Sequence, residues 1–76
     1  MAKLKWTKVR HDRDLRVEHE GGVWQVDAAE WHRADGKREL RVYRIHGDIN
    51  HPHLGEALQL EADSRGITLS TKEVAL

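Results

Sequence analysis

Apolar and polar residues alternate along residues 15–45 in three runs, which two glycine turns separate. Alternation with a period of two is typical of strands with one buried face. Asp35 and Gly36 form a strong signal for a two-residue hairpin loop, and Gly21 and Gly22 give the same signal one strand earlier. The pattern therefore predicts an antiparallel meander of three strands.

Treating both turns as two-residue loops sets the register of each hairpin. The first register places Val17 opposite Val26, and the second places Val26 opposite Ile45. The second also places Trp31 opposite Leu40. Because both registers put Val26 on the same face, this face is predicted to form the core. Its seven members are Leu15, Val17, Trp24, Val26, Ala28, Tyr43 and Ile45.

A helix is predicted after the meander, because apolar residues recur at helical spacing between Leu54 and Ala62. Asn50 is the predicted N-cap, and Gly66 is the predicted left-handed residue that ends the helix. Residues 4–9 and 67–70 could each add a strand. The predicted fold class is α+β, with a three- to four-stranded antiparallel β-meander and one C-terminal α-helix packed on one face.

Composition limits the class of protein. The chain has 76 residues and no cysteine, so one domain spanning residues 1–76 without disulfides is expected. A hydrophobic share of 38% with zero net charge favours a folded chain over a disordered one. Neither a secretory signal nor a run of the ~18 apolar residues that span a membrane is present. A cytoplasmic location without a membrane partner is therefore expected.

Several features together resemble a group of small proteins. They are Trp6, the run from Gly22 to Val26, the turn at Asp35, and the helix from Leu54. In this order they are similar to sheet-then-helix proteins common in actinobacteria and their phages, most without an assigned function. The resemblance covers most of the chain, although the usual Leu-Ala-Glu-Ala-Lys type of helix start is missing. The resemblance implies a small protein encoded by an actinobacterium or by one of its phages.

No catalytic signature is visible in the sequence. Ser64 and Ser70 lack a glycine elbow and an evident base, and no glycine-rich loop matches a phosphate or dinucleotide motif. A chain of this length also has little room for a concave pocket. The protein is therefore predicted not to be an enzyme and to need no cofactor.

Histidines near the helix start raise the question of a metal site. His46, Asp48, His51 and His53 fall within eight residues, and imidazole and carboxylate groups bind metals. Their spacing matches no recognised ligand motif, so a solvated loop is the favoured interpretation and no metal site is predicted. His19 is expected at the margin of the core.

The predicted register places an apolar cluster on the face opposite the core. Exposed clusters that contain tryptophan often mark interfaces, so a protein partner or a homodimer is expected there. Three alternatives remain open. Leu4 or Trp6 covers the cluster, a β-bulge near Ala28 turns Trp31 into the core, or the cluster forms a homodimer contact. The predicted protein-binding residues are Ala29, Trp31, Leu40 and Val42.

Charge alternates in blocks of +4 over residues 1–16, −4 over 17–36, +3 over 37–46 and −3 over 47–76. Pairing between oppositely charged strands is the favoured interpretation. The alternative is nucleic-acid binding, because basic side chains could lie along phosphates. Acidic residues interspersed among them, and the zero net charge, argue against it. The residues of this alternative are Lys37, Arg38, Arg41 and Arg44, with Lys3, Lys5, Lys8 and Arg10 at the N-terminus.

Overall fold

The computed structural model describes residues 4–75, which form a four-stranded sheet and one helix. Lys3, one of the predicted basic residues, lies outside this range. The strands lie in the order β1-β2-β3-β4, so the predicted meander followed by one helix is confirmed. The elements are β1 (Trp6–His19), β2 (Gly22–Arg33), β3 (Arg38–His46), α1 (Leu54–Ser64) and β4 (Thr68–Ser70).

The last strand runs in a direction that was not expected. β4 pairs with β3 in parallel, with Leu40 opposite Leu69, so the sheet is mixed and not wholly antiparallel. The cause is the position of α1 between these two strands. A helix returns the chain to the end where β3 began, so the next strand must run the same way as β3.

The first hairpin turns one residue earlier than predicted. Glu20 and Gly21 form the loop, with φ values of 47° and 80°, which suits a type I′ turn. Gly22 belongs to β2, where the Trp24 ring occupies the space that a Cβ would need. Val17 therefore lies opposite Trp24 instead of Val26. The shift is two residues, so every side chain keeps its predicted face.

The second hairpin has a three-residue loop, Ala34–Gly36, where two residues were predicted. The Gly36 N–H donates to the Arg33 carbonyl over 2.9 Å, and the Arg33 N–H donates to the Lys37 carbonyl over 2.7 Å. Gly36 has a φ of 92°, as expected for a type I turn followed by a glycine bulge. The extra residue shifts the register by one, and Glu30 instead of Trp31 lies opposite Leu40.

A bulge in β3 later restores the predicted register. Asp27 lies opposite Arg44 and Ala28 opposite Val42, which leaves Tyr43 as the extra residue. Between the loop and this bulge every side chain of β3 faces the opposite way from the prediction. Leu40 and Val42 are consequently buried in the core, and Tyr43 leaves it. The prediction that Ala29, Trp31, Leu40 and Val42 form one surface cluster is therefore wrong.

The core lies between the sheet and α1. The other six predicted members belong to it or pack against it, and α1 contributes Ala57, Leu58 and Ala62. The cluster also includes Ile67, which lies between the end of α1 and β4. Burial of this apolar stripe stabilises a helix that is too short to persist alone.

β1 is one long strand of 14 residues and includes most of the N-terminal segment that was predicted as a separate strand. It pairs with the whole length of β2, from Trp6 opposite Arg33 to His19 opposite Gly22. Two bulges interrupt the pairing. One extra residue is Val9, and a second lies between Asp12 and Leu15.

The helix start differs from the prediction, whereas its end agrees. His53, not Asn50, is at the N-cap, and it makes no side-chain capping bond. Asn50 lies in a preceding turn, where its N–H donates to Asp48 Oδ1 over 2.9 Å. At the other end Gly66 has a φ of 68°, and the Ile67 N–H donates to the Ala62 carbonyl over 3.1 Å. These features confirm the predicted left-handed ending.

Candidate functional site

One face of the sheet carries a group of aromatic and charged side chains. α1 packs on the other face, and α1 is the one helix within residues 4–75. We call the helix-free surface the open face. Its members alternate with core residues along β1, β2 and β3. They are Trp6, Lys8, His11, Asp27, Ala29, Trp31, Arg33, Glu39, Arg41, Tyr43 and Arg44.

A stack of rings and cations lies at the centre of the open face. The Arg41 guanidinium is 4.3 Å from the Trp31 ring centroid and 5.1 Å from that of Trp6. Lys8 Nζ lies 5.6 Å from the Trp31 centroid, and the Arg33 guanidinium lies 5.3 Å from the Trp6 centroid. Both distances are within the range of cation–π attraction. Three strands therefore converge on a single stack, with Arg41 between two indoles.

Carboxylates balance the arginines of this stack. Arg41 Nε donates to Glu39 Oε1 over 2.5 Å, and Arg33 donates to both oxygens of Asp35 over 2.8 and 2.6 Å. The bond from Arg33 is the main reason that the pKa of Asp35 falls to about 2. The same bond raises the pKa of Arg33. The stack is consequently close to neutral and does not form a block of one sign.

A chain of contacts that begins at Tyr43 also holds Trp31 in place. Trp31 Nε1 donates to the Tyr43 hydroxyl over 2.6 Å. The Tyr43 ring meets the His11 ring edge-on, with 5.8 Å between centroids, and His11 Nε2 lies 2.6 Å from Asp27 Oδ1. This chain of contacts keeps Trp31 half-buried in one orientation. A surface aromatic that is already ordered loses less entropy on binding.

The structure separates the four predicted protein-binding residues. Ala29 is buried on the open face beneath Arg41, which is its partner on β3, and Trp31 lies half-buried beside it. Leu40 and Val42 face α1 instead. Of the three alternatives, cover by the N-terminal segment applies in part, because Lys8 lies over Trp31, whereas the predicted Leu4 is 49% exposed. The bulge is in β3 and leaves Trp31 on the open face.

Sequence reasoning missed Tyr43 as a member of this site and named Trp6 only as one of two residues that could cover the cluster. Tyr43 was assigned to the core because the one-residue error in the second hairpin reversed β3. A signal was present in the spacing of Leu40, Val42 and Ile45, where strict alternation breaks between the last two. Such a break indicates an extra residue in the strand.

The residues of the nucleic-acid alternative do not form one row. Arg41 and Arg44 lie on the open face, with Arg44 opposite Asp27. Arg38 is two residues before Leu40 and points toward the helix side, and Lys37 lies between the loop and the start of β3. A shallow groove beside the second hairpin loop does have Trp6, Arg33, Lys37 and Arg38 among its lining residues.

The predicted histidine cluster is only partly formed. The rings of His51 and His53 are 5.8 Å apart between centroids, and His51 also packs edge-on against the Trp24 ring, whereas His53 also lies near His19. Among residues 4–75, one group of histidine and acidic side chains has ligand atoms close enough for a metal. That group is His19, His53 and Glu56, and His46 and Asp48 are not part of it.

Comparisons of the chain with protein-family models, with curated proteins and with solved structures found no match. Within residues 4–75 the single helix has 11 residues, fewer than a membrane crossing requires. The contacts of the open face are therefore the basis on which function is inferred.

Proposed function

We propose that the protein is a small, non-enzymatic interaction module that binds protein through its open face, and that a second copy of the chain occupies this face. The observation that carries the proposal is the stack of Trp6, Arg41 and Trp31 on the side of the sheet opposite α1. Tryptophan, tyrosine and arginine are the residue types that dominate binding energy at protein interfaces. All three types meet in this stack and its neighbour Tyr43.

The charge pattern favours a second copy over a partner of one sign. Both arginines of the stack pair with a carboxylate: Arg41 with Glu39, and Arg33 with Asp35. A two-fold axis brings the same patch of each copy together. A patch with interspersed charges of both signs can then place each cation against an anion. The net charge of zero also removes long-range repulsion between copies.

The size of the chain supports self-association as well. A domain of 76 residues without disulfides has a small core, and one sheet face carries large aromatic side chains with no helix over it. A typical interface buries about 800 Å² per partner. An interface of that size would be roughly 15% of the total accessible surface of 5336 Å².

Sedimentation equilibrium from micromolar to millimolar concentration tests the proposal. We expect a concentration-dependent dimer, and at least tenfold weaker association for Trp31→Ala, which corresponds to about 1.4 kcal/mol. Leu60→Ala is the matched control, because Leu60 is an exposed apolar residue on α1. Amide NMR spectra verify that each variant is folded. A monomer throughout, or a dimer unaffected by Trp31→Ala, would show the proposal to be wrong.

A DNA-associated function is the second candidate, and the groove at the second hairpin favours it. Trp6, Arg33, Lys37 and Arg38 line this groove. An aromatic platform beside cations is the arrangement with which proteins bind nucleic-acid strands. Against it, Asp35 already binds Arg33.

Fluorescence anisotropy with labelled duplex and single-stranded DNA at low salt tests this second function. Binding should weaken steeply as salt rises, and Lys37→Ala and Arg38→Ala in the groove should lower the affinity. Arg16→Ala is the control, because Arg16 is an exposed arginine of β1 paired with Glu18 near the first hairpin. No change in anisotropy at low salt removes this function. A cytoplasmic location and an origin in actinobacteria or their phages stay predictions of the sequence.

A further inference from the structure

Three metal-ligating side chains meet where the first hairpin approaches the start of α1. His19 is the last residue of β1, His53 is at the N-cap of α1, and Glu56 is in its first turn. His53 Nδ1 lies 2.6 Å from Glu56 Oε2, and His19 Nε2 lies 3.7 Å from the same oxygen. One ligand atom from each residue lies within 4.8 Å of the other two. Two imidazoles thus surround one carboxylate.

We propose that His19, His53 and Glu56 bind one divalent transition-metal ion, and that Zn²⁺ matches the three ligands best. Imidazole nitrogen and carboxylate oxygen are regular zinc ligands, and three protein ligands plus a water complete a tetrahedral site. Imidazole ligands also favour zinc, cobalt and nickel over magnesium and calcium, which prefer oxygen.

The distances between ligand atoms suit a metal after small adjustments. Tetrahedral zinc with bonds of 2.0–2.1 Å holds its ligands about 3.4 Å apart. His53 Nδ1 and Glu56 Oε2, now 2.6 Å apart, must separate, whereas His19 Nε2, 3.7 Å from the same oxygen, must approach. Side-chain movements of about 1 Å are enough for both changes. The Glu56 side chain is 61% exposed, so it can move and an ion can enter from solvent.

The surroundings hold two of the ligands in position. The His53 N–H donates to His51 Nδ1 over 3.1 Å, and the His51 ring in turn packs against Trp24. His53 and Glu56 are three residues apart, a spacing that places their side chains on one side of a helical turn.

A metal at this site would have a defined structural role. It would join the end of β1 to the start of α1, two points that are far apart in sequence. The N-cap residue His53 makes no side-chain capping bond, so the metal would add a constraint at a weak point of the helix. Because an ion that binds only the folded chain stabilises it, unfolding should become metal-dependent.

Titration of the tag-free chain with Zn²⁺ tests the proposal by calorimetry, thermal unfolding and NMR of the histidine rings. We expect one Zn²⁺ per chain at low-micromolar or tighter affinity, with ring shifts at His19 and His53. The midpoint of thermal unfolding should rise by roughly 10 °C or more when free Zn²⁺ is 100 times its Kd. Co²⁺ should compete for the site, and Mg²⁺ at the same concentration should leave the rings unchanged.

Variants separate this site from the other histidines. Glu56→Gln and His19→Gln should each weaken Zn²⁺ binding by more than the roughly 10- to 100-fold that loss of an outer-shell partner costs. Glu56 is exposed, so Glu56→Gln keeps the fold, which its amide spectrum verifies. His46→Gln is the control, because His46 is exposed and outside the cluster. Binding only at millimolar Zn²⁺, or binding that Glu56→Gln leaves unchanged, overturns the proposal.

Discussion

Trp24 and Trp31 lie on the same strand, β2, but on opposite faces and in opposite surroundings. Trp24 is 1% exposed, and its ring lies over two glycines, Gly22 and Gly47. Its indole N–H donates to the backbone carbonyl of Asp48 over 2.9 Å. Trp31 is half-buried among charged side chains, and its N–H donates to the Tyr43 hydroxyl.

The two tryptophans are expected to contribute to different properties, Trp24 to the stability of the fold and Trp31 to binding. The neighbours of Trp24 are backbone, apolar side chains and the edge-on ring of His51, so its contacts form when the chain folds. The main neighbours of Trp31 are cations and a hydroxyl, which keep the ring ordered while one side stays accessible. Removal of Trp24 should therefore affect the fold, whereas removal of Trp31 should chiefly affect association.

Replacement of Trp24 is expected to have the largest effect. Trp24→Ala should lower the free energy of unfolding by about 3–5 kcal/mol, because it leaves a large cavity and removes the bond to Asp48. Trp31→Ala should cost less, about 1–2 kcal/mol, because its ring is only half-buried. Urea unfolding followed by circular dichroism measures both. Equal losses in the two variants would contradict the distinction drawn between the two faces.

Two glycine replacements should change stability in opposite directions. A Cβ at Gly22 overlaps the Trp24 ring, so Gly22→Ala should destabilise the fold by about 1–3 kcal/mol. Gly55, in α1, has open space around its Cα, and Gly55→Ala should stabilise it by about 0.5–1 kcal/mol. Thermal unfolding compares the two. If Gly22→Ala were neutral, the close contact with Trp24 would not exist in solution.

Loss of one hydroxyl on the open face should have a smaller effect. Tyr43→Phe removes the acceptor of the Trp31 N–H and should cost about 0.5–1.5 kcal/mol. The indole N–H resonance of Trp31 should shift and exchange faster with solvent, while that of Trp24 stays unchanged. An unshifted Trp31 resonance would argue against this hydrogen bond.

The smallest expected effect is a change in pH dependence. The pKa of Asp35 is about 2 in the folded chain, below its ordinary value of 3.8, chiefly because Arg33 donates to it. Its contribution to stability is therefore present above 3.8 and is lost as the pH falls toward 2. Asp35→Asn should make the free energy of unfolding depend less on pH in this window, which urea unfolding at several pH values measures. An unchanged slope would show that the pair with Arg33 contributes nothing to stability.

Much of the fold could be predicted from the sequence, because alternation in β1 and β2 and the glycine at the helix end act locally. The second hairpin could not. Asp35 followed by Gly36 suits a two-residue loop and also a three-residue loop with a glycine bulge, since both need a positive φ at Gly36. One residue of difference reversed part of β3 and moved Leu40 and Val42 into the core.

The candidate site was predictable only in part. Trp31 was correctly placed on the face opposite the core. Its neighbours were not, because Trp6 and Arg41 reach it through pairings far apart in sequence. The pairing of β1 contains two bulges, so counting back from the first hairpin cannot place Trp6 correctly. In the same way His19 meets His53 only because α1 begins at the end of the sheet where β1 stops.

The two bulges of β1 also limit how copies of this chain can assemble. β1 is an edge strand of the sheet, and at the opposite edge β4 has only three residues. A long, regular edge would invite another chain to add a strand and extend the sheet without limit. The bulges and the charged residues of β1, among them Arg10 and Arg13, interrupt that edge. Closed pairing face to face is therefore favoured over growth into fibres.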